Sequence, residues 1–230
     1  MDSFALTSVC FGVVLTIVTY EIGVLIKKKV KFTIFNPLLI SIVLSIIVLK
    51  VFNISYASYN ISASHLSYFL LPSTVCLAIP LYEQIELLKK NKTALITGII
   101  TGVFTSLLSV FLLAKVLGFN HQDYISFLPK SITTAIGMAV SEGMGGYVPI
   151  TVTVIVLTGV LGNVIAEFVF KLFRIKEPIA KGVALGTSAH AIGTSKAMEI
   201  GEVEGAMSSL SLVVCGVMTV FILPFFTGLI

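Results

Sequence analysis

Apolar residues fill most of the chain in stretches of about twenty, parted by short charged or small-residue connections. About 20 apolar residues in helical conformation match the hydrocarbon thickness of a bilayer. Residues 4–26, 33–52, 93–117, 147–170 and 206–226 are such runs and predict membrane-spanning helices. Residues 66–82 make a further run, interrupted by Pro72 and Pro80, and each proline breaks or bends a helix by removing a backbone donor. Thr74 between them can re-satisfy a freed backbone group. Two more segments are apolar yet dense in Pro, Gly, Ser and Thr: 127–146 (FLPKSITTAIGMAVSEGMGG) and 179–197 (IAKGVALGTSAHAIGTSKA). They predict interrupted helices with breaks at Pro129, Gly186 and Gly193. The fold class expected is all-α: a polytopic membrane bundle of about six full spans plus two broken or re-entrant segments.

Composition sharpens this. Of 230 residues, 57% are hydrophobic and 11% charged, and mean hydropathy is +1.06. A soluble domain carries roughly 25% charged residues. A soluble enzyme, a nucleic-acid binder and a disordered chain are therefore excluded, and residues 1–230 read as a single integral membrane domain. Cys10, Cys76 and Cys215 lie far apart in apolar runs without a CxxC spacing, which suggests no disulfide and no metal site. The chain has no P-loop, HExxH or G-x-S-x-G motif, so neither enzyme chemistry nor a cofactor is expected. No basic residue precedes the first run, which is too long for a signal-peptide core. It reads as a true span in a bacterial plasma membrane.

Charge sets orientation. Lys27–Lys29 with Lys31, Lys89–Lys92, and Lys171 with Arg174 and Lys176 mark cytoplasmic ends, which places the N-terminus outside. Simple alternation carries the first four spans. If 127–146 crossed fully, the cluster at Lys171 would fall on the wrong side; if it dips in and returns, every cluster falls inside. Residues 179–197 read as its counterpart from the cytoplasmic side. Residues 93–146 and 147–200 then form an inverted repeat, each a span plus a broken segment, between 1–92 and the last span in 201–230. Paired interrupted helices in inverted repeats are a transporter architecture.

Three groups of residues could carry chemistry. Pro129, Lys130, Ser131, Thr133 and Thr134 combine a helix start, hydroxyls and a cation, a set that suits a carboxylate; the plainer alternative is a lysine snorkelling to the interface. Gly186, Thr187, Ser188, His190, Gly193, Thr194 and Ser195 form the second group. His190 is the one histidine within a membrane-depth segment and a candidate for proton coupling, or else a neutral histidine bonded between helices. Glu142, beside Gly143, Gly145 and Gly146, is a second proton-coupling candidate or a solvated loop residue. Lys196 and Glu199 are placed to pair with one another.

LPKSITTAIGMAVSEGMGG and GVALGTSAHAIGTSKAMEIGEVEGAMSSL, with LPSTVCLAIPLYEQ upstream, resemble the signature stretches of the LrgB/CidB family across essentially the whole chain. Ala135-Ile136-Gly137 follows Thr134 where that family's pattern carries a proline. The resemblance implies antiholin-like behaviour that affects murein hydrolase activity and lysis, and a smaller LrgA/CidA-type membrane partner. It also implies kinship with carriers of small monocarboxylates such as pyruvate, glycolate and glycerate. The function expected is a carrier or facilitator of a small monocarboxylate anion, with Lys130, Ser131, Thr133 and Thr134 facing Ser188, His190, Thr194 and Ser195. The alternative is an antiholin-like regulator that transports nothing. Association into a homo-oligomer stays open, and no nucleic acid is expected.

Overall fold

The computed structural model describes residues 8–30, 37–76 and 78–230. All regular structure among them is helical. The expected residues 4–7 and 33–36, and the side chain of Thr74, lie outside that description. Contacts divide the chain into two compact units, 1–76 and 77–230.

The first unit contains α1 (Phe11–Val30), α2 (Pro37–Val51), α3 (Tyr56–Ala63), a 3₁₀ turn (Ser64–Phe69) and α4 (Leu70–Cys76). Small residues and hydroxyls join α1 to its neighbours. Thr19 Oγ1 meets Ser41 Oγ and Ser45 Oγ, both at 3.0 Å. The Gly12 N–H donates to Ser62 Oγ at 2.7 Å, and a Cβ on Gly12 would strike the Tyr59 carbonyl. Helix α3 lies in an uncharged stretch of the sequence, with Ser55 accepting from the Ser58 N–H as its cap.

The second unit contains α5 (Ala78–Glu83), α6 (Ile85–Lys90), α7 (Lys92–Leu117), α8 (His121–Phe127), α9 (Thr134–Gly143), α10 (Val148–Leu172), α11 (Pro178–Ile200) and α12 (Glu202–Thr227). Among the described residues, α7, α10 and α12 are long and apolar enough to cross a membrane. That is fewer than the six full spans expected. Helix α2 has 15 residues, α1 carries Glu21 and three lysines, and the run with Pro72 and Pro80 divides into short helices. Both prolines fall in first turns, where no backbone donor is required.

Segments 121–143 and 178–200 each reverse direction. In α11 the break is at Ala189 (φ −122°, ψ 15°) and His190 (φ 42°, ψ −135°), and not at Gly186 or Gly193. Those glycines do a different job. A Cβ on Gly193 would stand 2.5 Å from the Leu185 carbonyl across the hairpin, and one on Gly186 would strike the Ser208 carbonyl of α12. In a straight helix Leu185 and Gly193 would be about 12 Å apart along the axis; here they touch, so the chain has turned back. Arm 178–188 runs alongside α12, with Gly182 against Glu204 and Gly186 against Ser208. Arm 191–200 runs against it, with Thr194 bonded to Ser208 and Gly205 on Met198.

The other reversal lies between α8 and α9, at 128–133. Gly146 packs on Ile125 and Ser126, Gly137 on Pro129 and Ile155. Ser126, Ser141 and Thr151 lock both arms to α10: Thr151 Oγ1 donates to the Ser126 carbonyl at 2.9 Å and lies 2.7 Å from Ser141 Oγ. Pro129 lies in this turn.

Candidate functional site

The tip of the α11 hairpin sits near the middle of α10. His190 packs on Gly159, and its ring Nε2 lies 2.8 Å from the Ile155 carbonyl. A carbonyl only accepts, so Nε2 carries the proton and donates. From Gly159 to Leu172 the helix rises about 20 Å, and from Val148 to Gly159 about 17 Å. The tip therefore sits at mid-depth of a spanning helix. The reversal exposes backbone groups that neighbours satisfy. Asn163 Nδ2 donates to the Ile192 carbonyl at 3.2 Å. Thr194 Oγ1 reaches the His190 carbonyl at 3.0 Å and Ser208 Oγ at 2.9 Å. His190 holds a positive φ that a non-glycine residue adopts only under constraint. Gly159 and Gly162 make room for it, since a Cβ on either would strike His190 or Ala189.

Between α7 and the first arm of α11 lies a groove of about 910 Å³. Gly98 and Gly102 let the two helices approach, facing Val183 and Thr187. The groove begins at Asn91 and Glu177, at the end of the unit where α7 and α11 start, and extends to Ser106, Ser109, Lys130 and Ser131. From Asn91 to Ser106, α7 rises about 22 Å. Thr97, Thr101, Thr105 and Ser109 line it from α7, Thr187 and Ser188 from α11.

Lys130 stands at the inner end. Its Nζ donates to Ser131 Oγ at 3.0 Å and reaches Ser106 Oγ at 3.3 Å, while Ser106 Oγ donates to Ser131 Oγ at 2.9 Å. Ser131 Oγ thus accepts twice, which leaves its own proton for a ligand. Among the described residues, no carboxylate lies within ion-pair distance of Lys130. A cation at membrane depth without a counter-charge costs about 2.5–3.5 kcal/mol at the centre of a span. A bound anion would offset part of that cost.

The expected residues are only partly gathered. Lys130, Ser131 and Ser188 line the groove. Thr133 caps α9 without a side-chain bond and Thr134 begins it, and neither lines the groove. His190 and Thr194 are buried in the tip, where they hold the reversal together, and Ser195 is exposed elsewhere on α11. Glu142 is exposed near the end of α9, about 12 Å along that helix from Thr134, and is not with Lys130. Lys196 pairs with Glu199 at 3.6 Å, and also with Glu167 at 2.6 Å. Thr187, named with the second group in the sequence, also lines the groove. Sequence reasoning missed Ser106 and the ladder Thr97, Thr101, Thr105. The signal was present: hydroxyl residues at every fourth position along an apolar span form one polar stripe.

The arrangement can hold a small anion at a hydroxyl-lined, cationic end of a groove. No cluster of three metal-ligating side chains occurs among the described residues.

Comparison with known proteins agrees along the chain's length. The antiholin-like protein LrgB of Bacillus cereus (strain B4264) is 41% identical over 217 residues, covering 94% of each chain. The antiholin-like protein LrgB of Bacillus anthracis (strain CDC 684 / NRRL 3495) gives the same identity and coverage. No solved structure matches. The LrgB-like family profile matches residues 16–229. With its apolar helices, the chain is a membrane protein and belongs to the LrgB-like family.

Proposed function

We propose that this protein is a carrier or facilitator of small monocarboxylate anions of the pyruvate or glycolate class, working in the plasma membrane beside a small LrgA/CidA-type membrane partner. The observation that supports the reading is Lys130. An ammonium group stands at the inner end of a hydroxyl-lined groove, bonded to two serines, with no carboxylate beside it among the described residues. A protein that acted only by packing its helices against a partner would gain nothing from this arrangement. By the positive-inside rule, the end of α10 bearing Lys171, Arg174 and Lys176 faces the cytoplasm. The groove opens at that same end, so the geometry corresponds to access from inside.

His190 serves this reading as the pin of the hairpin tip. Its ring bonds the Ile155 carbonyl, and its own carbonyl receives Thr194. Lys130 and Ser131 of one hairpin line the same groove as Thr187 and Ser188 of the other, so motion of one hairpin against the other is the step that alternates access.

A second reading has its own support. The relatives are named antiholin-like, and under that reading the chain regulates murein hydrolase activity through its partner and moves no solute. Uptake of labelled pyruvate, with glycolate and lactate as competitors, separates the two in cells lacking their own carriers, with and without the partner. Saturable uptake supports the carrier. Its absence under both conditions, with the protein present in the membrane, favours the regulator.

A further inference from the structure

A second cavity, of about 630 Å³, lies at the end of the unit where α10 finishes and both arms of the α11 hairpin emerge. Five cationic side chains line it: Lys171, Arg174, Lys176, Lys181 and Lys196. They come from the last turn of α10, the connection after it, and both arms of the hairpin. Only the reversal at His190 brings Lys181 and Lys196 to one place. The opposing carboxylates are Glu167 and Glu199, both engaged with Lys196. Among the described residues, the other four cations have no carboxylate within ion-pair distance. Arg174 holds φ 54° at the end of α10, a position that favours glycine. The Ile175 N–H closes that turn on the Phe170 carbonyl at 2.8 Å.

Beside the cations the surface is apolar. Phe168 and Leu172 are exposed on the last turns of α10, and Phe173 directly after it. Cations above exposed apolar side chains, at the end of a spanning helix, match the two halves of an amphiphile. Basic cavities between helices at the cytoplasmic face are suited to phosphate-bearing headgroups. A soluble phosphate would use the cations and leave the apolar flank unused.

We propose that this cavity binds the phosphate headgroup of an anionic phospholipid, with the acyl chains lying along Phe168, Leu172 and Phe173. Arg174 gives the phosphate a planar two-point contact, and Lys171, Lys176 and Lys181 add point charges. Lys196, held by Glu167 and Glu199, forms the floor. The site is separate from the groove that ends at Lys130 and does not depend on what that groove carries.

The test uses the full chain in a neutral detergent. Short-chain phosphatidylglycerol, phosphatidylcholine, glycerol phosphate and inorganic phosphate are titrated separately, and retained lipid is counted by native mass spectrometry. Phosphatidylglycerol is expected to be retained and phosphatidylcholine not. Arg174→Gln and Lys181→Gln should each weaken retention about fivefold, the fold-change for loss of one cation near a surface. Lys115→Gln, at the far end of α7, should leave it unchanged. Lys181→Gln provides a reading independent of the α10 cluster, which also sets orientation. Equal retention of the two lipids, or unchanged retention in both variants, would overturn the proposal. Displacement of the lipid by inorganic phosphate at the same concentration would overturn its assignment to a lipid.

Discussion

Gly186 provides a quantitative test of the hairpin. It sits on the first arm of α11 where that arm crosses α12, and an added Cβ would strike the Ser208 carbonyl and stand 2.8 Å from Ser211 Cβ. A backbone carbonyl and a Cβ cannot rotate aside, so Gly186→Ala forces the arm away from α12. Overpacking a well-filled contact costs about 1–3 kcal/mol, and the rigid neighbours place this site near the upper value. Alanine recovers up to about 1 kcal/mol through its better helix propensity. The net loss is about 2 kcal/mol, which for a chain of this size lowers Tm by roughly 4–8 °C. The control is Gly143→Ala at the end of α9, where an added Cβ meets nothing within 4 Å; its Tm should hold or rise. Thermal unfolding of both variants in the same detergent decides the matter. If Gly186→Ala melts with Gly143→Ala, the arm does not lie on α12 as described.

Other consequences are open to test. His190→Ala loses a buried hydrogen bond to the Ile155 carbonyl and leaves a cavity, so stability should fall by roughly 2–4 kcal/mol. His190→Gly should melt above His190→Ala because glycine adopts φ 42° without strain; the reverse order would show that the tip is not strained. In a variant lacking Cys10, Cys76 and Cys215, Ser188→Cys should react with a membrane-impermeant thiol reagent from the cytoplasmic side, and Thr194→Cys should not. Equal labelling of both would mean that the groove does not open as the lining residues indicate. Thr101→Val, which removes a groove hydroxyl, should raise the KM for a carboxylate severalfold and leave the amount of protein in the membrane unchanged. An unaltered KM would remove the α7 ladder from the pathway.

Much of the helical layout was legible because apolar runs of span length have few soluble explanations. α7, α10 and α12 stand out for this reason, with the lysines after α10 marking its end. Segments 127–146 and 179–197 were conspicuous for glycine, proline and hydroxyl content. The point of reversal was not. Glycines at 186 and 193 look like breaks, yet both remain in helical arms and give room to a neighbouring backbone. The break falls instead on a histidine, whose positive φ is fixed by tertiary contacts with Gly159 and Ile155 and not by local preference. The same limit applied to the groove. Lys130 and Ser131 announce themselves by charge and by a preceding proline. Ser106 acquires meaning only when α7 packs beside the turn that carries Lys130. Thr133 and Thr134, adjacent in sequence, point elsewhere because the chain has already begun α9.

The central claim is that Lys130 is the anion-binding cation of a carboxylate pathway. Uptake of labelled pyruvate by cells producing the wild type, Lys130→Ala and Lys130→Arg at matched membrane levels tests it most directly, with the small membrane partner present. The account predicts saturable uptake by the wild type, its loss in Lys130→Ala, and partial retention in Lys130→Arg, where the charge remains but the fit to Ser106 and Ser131 changes. Full uptake by Lys130→Ala would contradict the account.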